Sequence, residues 1–190
     1  MKTWLFNPFK FIAGGKALLL GIIGMLITAG ACYFGKVHLD GAIDMHQSGQ
    51  PNFIALWVEP LLDWLCLVIP LYLFGRYFSV SSVRFIDVAG TLALARYPLF
   101  FAVMLTVFFL PDIKTPTEVI NALQTNPALI VKLALMGLAV LPFIIWTIAL
   151  MYNAYAVSCN IKGQKAVATF IIALFLAEVI SKLTLVHLFN

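Results

Sequence analysis

Five runs of apolar residues, each long enough to cross a bilayer and separated by short polar connectors, make up most of the chain. A helix rises about 1.5 Å per residue, so about 20 residues span about 30 Å of hydrocarbon. Spans are expected at about 17–35, 53–78, 88–110, 128–158 and 166–189. The first carries no charge, the third only Arg96, the stretch 133–158 none, and the last Glu178, Lys182 and His187. The second starts near Phe53 if Glu59 and Asp63 are tolerated inside it, or at Pro60, where a proline fits the first helical position. The expected fold class is all-α, a single polytopic membrane helix bundle over residues 1–190 with five transmembrane helices. With 63% hydrophobic and 11% charged residues and a mean hydropathy of +1.01, the composition excludes an ordinary soluble enzyme, a disordered chain and a coiled coil.

The connectors then set the orientation. With the N-terminus in the cytoplasm, Lys2, Lys10, Lys16, Arg76, Arg84, Lys162 and Lys165 fall on that side, against Lys36, Lys114 and Lys132 on the other. Positive charge accumulates on the cytoplasmic side of membrane proteins, so the expectation is N-in and C-out. Residues 1–16 read as a short cytoplasmic or interfacial segment, with Trp4, Leu5, Phe6, Phe9, Phe11 and Ile12 at headgroup depth and lysines toward phosphate. The Ala29-Gly30-Ala31-Cys32 ending of the first run is like a lipoprotein cleavage site, but the long lead-in and the continuation Tyr33-Phe34-Gly35 favour a retained helix. No basic run suggests nucleic acid, and Cys32, Cys66 and Cys159, odd in number and without a Cys-x-x-Cys pair, read as packing thiols. An odd number of dissimilar spans gives no sign of the duplicated halves of many transporters.

Ionisable residues in hydrocarbon are costly unless paired or hydrated, which makes those inside the spans the most informative. Asp63, Arg96 and Glu178 all fall near the midplane by their positions along the runs. Glu59 precedes Asp63, and Glu178 precedes Lys182, by the four residues that put side chains on one helical face. One reading pairs Arg96 with Asp63 and Glu178 with Lys182 to fix helix packing. The other makes Glu59, Asp63, Arg96, Glu178 and Lys182 an internal polar site for a proton, a cation or a small solute, because three carboxylates outnumber two cations. Pro60, Pro70, Pro98 and Pro142 would free backbone carbonyls along the spans.

The connector 36–52 holds His38, Asp40, Asp44 and His46, two imidazoles and two carboxylates suited to zinc, manganese or iron. Gly41 would allow a tight turn between its halves, and His187 near the outer end of the last span could complete the set. A solvated polar loop is the plainer reading. Enzyme signatures are missing: no Ser-His-Asp arrangement, Gly-rich phosphate loop or His-Glu-x-x-His occurs, so no catalytic residue is assigned. A metal-dependent intramembrane hydrolase built on Asp40, Asp44 and His46 ranks last. Tyr152, Asn153, Tyr155, Ser158 and Asn160 form a polar patch at the cytoplasmic end of the fourth span, where an interfacial belt is expected. Ala31 with Gly35, or Gly24 with Thr28, would permit close helix contacts within the bundle or between copies of the chain.

Phe74-Gly75-Arg76, Val83-Arg84-Phe85-Ile86-Asp87-Val88, Tyr97-Pro98-Leu99 and, after Trp146, Asn160-Ile161-Lys162-Gly163-Gln164-Lys165-Ala166 stand in a five-span order that resembles the Yip domain of Ypt/Rab-interacting membrane proteins. The resemblance implies a five-helix membrane protein with a cytoplasmic N-terminus. It is closer to the prokaryotic branch, implying an inner-membrane location and no assigned biochemical activity. GTPase binding does not carry over, since the long N-terminal region and the Asp-Leu-Tyr-Gly-Pro segment of the eukaryotic branch do not occur before the first span. The expected role is therefore non-enzymatic, organising the membrane or binding a partner such as another membrane protein or a second copy. The alternative is a carrier or channel for a cation or small solute.

Overall fold

Each apolar run becomes a helix, and glycine, proline or a polar pair decides where each helix starts, breaks and stops. The computed structural model describes residues 2–47, 53–109 and 116–189. A short helix α1 (Lys2–Phe6) and a 3₁₀ turn at Pro8–Lys10 precede α2 (Gly14–Gly35). Gly14 opens α2 at φ 60°, a backbone state that costs glycine little. At the other end Lys36 turns left-handed at φ 51°, and its N–H donates to the Cys32 and Tyr33 carbonyls. The second span is one helix, α3 (Phe53–Phe78), with Pro60 and Pro70 inside it, so Glu59 and Asp63 belong to the span rather than to its approach.

The third span is broken. α4 (Phe85–Ala95) ends at Arg96 and Tyr97, and α5 (Pro98–Phe109) begins on the proline. Pro98 has no N–H for the carbonyl one turn back and disfavours helical geometry in the residue before it, which accounts for a break between two otherwise continuous apolar helices. The connector between the third and fourth spans contains a helix of its own, α6 (Pro116–Thr125). α7 (Pro127–Ser158) starts with Pro127 in its first turn, while the Asn126 side chain accepts the Ala128 N–H at 3.2 Å. α8 (Gly163–Phe189) follows a tight junction in which Asn160 and Gly163 both take positive φ.

Five helical stretches are thus long and apolar enough to cross a membrane: Gly14–Gly35, Phe53–Phe78, Phe85–Phe109, Pro127–Ser158 and Gly163–Leu188. The protein is an all-α polytopic bundle with a wide apolar surface suited to lipid. α2 lies against α4, α3 against α8, and α5 against α7. Glycines allow the closest of these approaches. A Cβ on Gly90 would stand 2.5 Å from the Gly14 carbonyl oxygen, and one on Gly21 would stand 2.5 Å from the backbone of Leu94. Gly35 is pressed on Val107 in the same way, whereas Gly24 has open space around it and takes no part in such a contact. The core between the helices is built from Leu67, Val68, Leu71, Val88, Leu92, Leu150, Met151 and Tyr155.

At one end of the bundle the connector after α2 folds inward. Val37–His38 (β1) and His46–Gln47 (β2) pair as a minimal antiparallel ribbon, with His38 opposite His46. Val37, Leu39 and Ala42 are fully or almost fully buried, so the segment is a cap seated on the bundle and not the solvated loop that its polar residues suggest. Beneath it Cys32, Val37, Leu39, Leu56 and Val103 form a second, smaller apolar cluster.

Candidate functional site

Below this cap the buried ionisable residues meet. Asp63 is fully buried on α3, Arg96 is 3% exposed at the α4–α5 break, and Arg96 Nη2 stands 3.7 Å from Asp63 Oδ2. The distance makes an ion pair but no hydrogen bond. One turn along α3, Glu59 Oε1 lies 2.7 Å from His38 Nδ1 of the cap, both side chains being buried. An ionised Glu59 accepts the Nδ1 proton and leaves Nε2 as an acceptor. In this quartet six buried atoms have no hydrogen-bond partner: His38 Nε2, Glu59 Oε2, both Asp63 oxygens, and Arg96 Nη1 and Nη2. A buried polar atom left unpaired costs about 1–3 kcal/mol, more for a charged one, so this concentration is a strong departure from ordinary packing.

Around the quartet lies a half-exposed rim. His46 Nδ1 is 3.2 Å from Asp40 Oδ2. The hydrogen bond to His46 holds the Asp40 carboxyl below its ordinary range, and the same bond raises His46 above its usual value. The His38 and His46 rings stack, centroids 5.5 Å apart and planes 19° apart. On the other side Lys182 Nζ reaches Asp44 Oδ2 at 2.6 Å and Glu178 Oε1 at 3.6 Å. Glu178 Oε2 accepts the Ile43 N–H at 3.4 Å, which ties α8 to the cap. Gly41 serves this contact rather than a special turn: its φ is not positive, but a Cβ there would collide with the Glu178 carboxylate.

The sequence-derived internal cluster of Glu59, Asp63, Arg96, Glu178 and Lys182 is therefore brought together under the cap, with Asp63 and Arg96 near the middle of their spans and Lys182 at the rim. Glu59 and Asp63 share a face of α3, and both expected ion pairs form, although Lys182 lies closer to Asp44 than to Glu178. The proposed metal ligands are distributed differently. His38 pairs with Glu59, His46 with Asp40, and Asp44 with Lys182, while His187 is exposed and joins none of these pairs. Cross-strand pairing accounts for this, because His38 and His46 stand side by side on the ribbon with their rings parallel instead of converging. Among the described residues no group of three His, Cys, Asp or Glu side chains is arranged to hold a metal ion.

At the opposite end the one such atom among the described residues is Asn7 Oδ1. Arg84 clamps Asp87 through Nε at 2.7 Å and Nη2 at 3.0 Å. Thr91 Oγ1 donates to the Asp87 carbonyl at 2.7 Å and lies 2.8 Å from Ser158 Oγ, joining α4 to α7. The polar patch on α7 is structural in the same way. Trp146 Nε1 donates to the Leu5 carbonyl and Asn153 Nδ2 to the Phe6 carbonyl, pinning the N-terminal segment across α7, and the Tyr155 hydroxyl donates to Thr169 on α8. The cysteines are free, and burial pushes the Cys159 thiol up to about 12, as suits a packing group. No protein-family model, curated protein or solved structure matches the chain.

Proposed function

We propose that this integral membrane protein is a carrier of a cation or small solute, with Glu59, Asp63, Arg96 and His38 as its binding site and the cap 36–47 as its cover. The observation that carries this reading is the set of six buried, unpartnered polar atoms under a cap whose rim is half-exposed. A bundle that used these charges only as packing glue would be expected to satisfy them. Beyond Asp63 the next turns of α3 are Leu67, Val68 and Leu71, sealed against Leu92, Leu150 and Met151. A site reached from one side and closed on the other suits a carrier better than a channel.

The experiment is flux in proteoliposomes. Proton, sodium and potassium gradients are imposed on vesicles holding the wild type or Glu59→Gln, which keeps an acceptor for His38. Faster dissipation of one gradient by the wild type, lost in Glu59→Gln with unchanged size-exclusion behaviour, is the expected result. Wild-type vesicles no leakier than empty ones to any of the three would sink the carrier reading.

That outcome would leave a membrane-organising or partner-binding role of the Yip kind, with the N-terminus in the cytoplasm of an inner membrane. Its specific support lies at the opposite end, where residues that carry the resemblance, Arg84, Asp87, Asn160 and Gly163, make the helix junctions beside the pinned N-terminal segment. Neither reading assigns a catalytic residue.

A further inference from the structure

We infer that the quartet His38, Glu59, Asp63 and Arg96 is a binding site for one exchangeable proton, loaded from the capped end of the bundle. The argument begins with charge. Glu59 and Asp63 contribute two negative charges, Arg96 one positive, and a neutral His38 none, so the buried set carries one excess negative charge. Sequestering an uncompensated charge from water is far costlier than binding a proton, and one proton brings the set to neutrality.

The vacant atoms agree with the count. Four of the six are acceptors, His38 Nε2, Glu59 Oε2 and the two Asp63 oxygens, against two guanidinium nitrogens on Arg96. What the site lacks is a donor bearing positive charge. The 2.7 Å contact between His38 Nδ1 and Glu59 Oε1 already holds the proton of the neutral ring, so the added proton goes to one of the vacant acceptors, His38 Nε2, Glu59 Oε2 or an Asp63 oxygen.

The surroundings strengthen the demand. Around the quartet lie the Cys32 thiol at the end of α2, Asp40, Asp44 and His46 on the cap, and Glu178 with Lys182 on α8. Asp63 lies within electrostatic reach of Glu59, Glu178 and Asp40 as well as Arg96. On the rim Asp44 and Glu178 share the single ammonium of Lys182, and Asp40 is paired with His46. Among these paired rim groups three carboxylates stand against one ammonium and one imidazole. The proton comes from bulk water at the capped end, because the apolar turn at Leu67, Val68 and Leu71 closes the other side.

The inference rests on the carrier reading for its use, since it names the ion, but its test is independent of flux. Detergent-purified protein is titrated from about pH 9 to about pH 5, with proton uptake per chain and the infrared carbonyl band of protonated carboxyl groups as readouts. The charge count predicts that Glu59→Gln takes up one proton fewer than the wild type and loses carboxyl band intensity. Asp63→Asn does the same through the other carboxylate. Arg96→Gln, which leaves two negative charges, takes up one proton more. A merely structural quartet would move stability in these variants without this stepwise change, and equal uptake in all four proteins overturns the proposal. Uptake as predicted with no flux in vesicles would leave the proton site standing and overturn the carrier reading. Flux without the predicted uptake would do the reverse.

Discussion

Arg96 has Asp63 as its only ion-pair partner among the described residues, so the two side chains should be interdependent. Replacing Asp63 with Asn strands a buried guanidinium and is expected to cost about 3–5 kcal/mol, whereas Asp63→Asn combined with Arg96→Met should recover most of it. Unfolding midpoints in detergent for the two single variants and the double would check this, and additive losses would contradict the pairing. On the rim, pH works through His46 and Asp40. His46 is raised above 6.5, so its contribution to holding the cap is complete below 6.5 and fades as pH rises through the raised value. Asp40 is lowered below 3.8, so its contribution is complete above 3.8 and fades as pH falls through the lowered value. Cap protection should therefore be greatest between those two pH values. Hydrogen exchange of residues 36–47 should show that window and lose its alkaline limb in His46→Gln. Glu59, Asp63 and Arg96 were legible in the sequence because an ionisable residue in an apolar run is conspicuous. The partners His38 and Asp44 were not, since their contacts join positions 21 and 138 residues apart, a separation that no local spacing encodes.

At the scale of elements, the contact between α2 and α4 depends on missing side chains. A Cβ on Gly90 meets main-chain atoms of Gly14 and Leu18, which cannot swing aside as a flexible side chain would. Gly90→Ala is expected to lower stability by about 1–3 kcal/mol through overpacking. Gly24→Ala, on the same helix pair but in open space, should not, and thermal unfolding of the two variants side by side decides the matter. The sequence pointed to Gly24, Thr28, Ala31 and Gly35 as small residues suited to a close approach; of the two glycines, Gly35 alone makes one. Spacing identifies a stripe, but which stripe meets a neighbour depends on how the helices rotate when they pack. The five long helices were readable from length and hydropathy. α6 was not: Val119, Ile120 and Leu123 recur at helical spacing, but over too short a stretch to outweigh the polar residues around them. Pro98 was visible as an interruption, yet only the structure shows that Arg96 occupies the resulting break.

For the whole molecule, charge is divided between the two ends. The end with Lys10, Lys16, Arg76, Arg84, Lys162 and Lys165 has Asp87, already paired with Arg84, while the capped end sets Asp40, Asp44, Glu59 and Glu178 against Lys36, Lys132 and Lys182. With the N-terminus in the cytoplasm, a cysteine placed at Lys162 should react with a membrane-impermeant reagent only in opened cells, and one placed at Asp44 in intact cells. The reverse pattern would invert the orientation. The order in which the helices pack could not be read from the sequence, because each of them is apolar on nearly every side and offers no single stripe to match. The same property bears on α7. Its uncharged stretch from 133 to 158 ends in the interfacial patch of Tyr152, Asn153 and Ser158, and the part before that patch, at about 1.5 Å per residue, matches about 30 Å of hydrocarbon. The part of the helix before Val140 has no fully buried side chain and leaves a cleft toward α5 lined by Leu105, Phe109, Val131 and Leu135. That part of α7 is held less by neighbouring helices than by acyl chains, so the order of the host lipid becomes a mechanical variable for it.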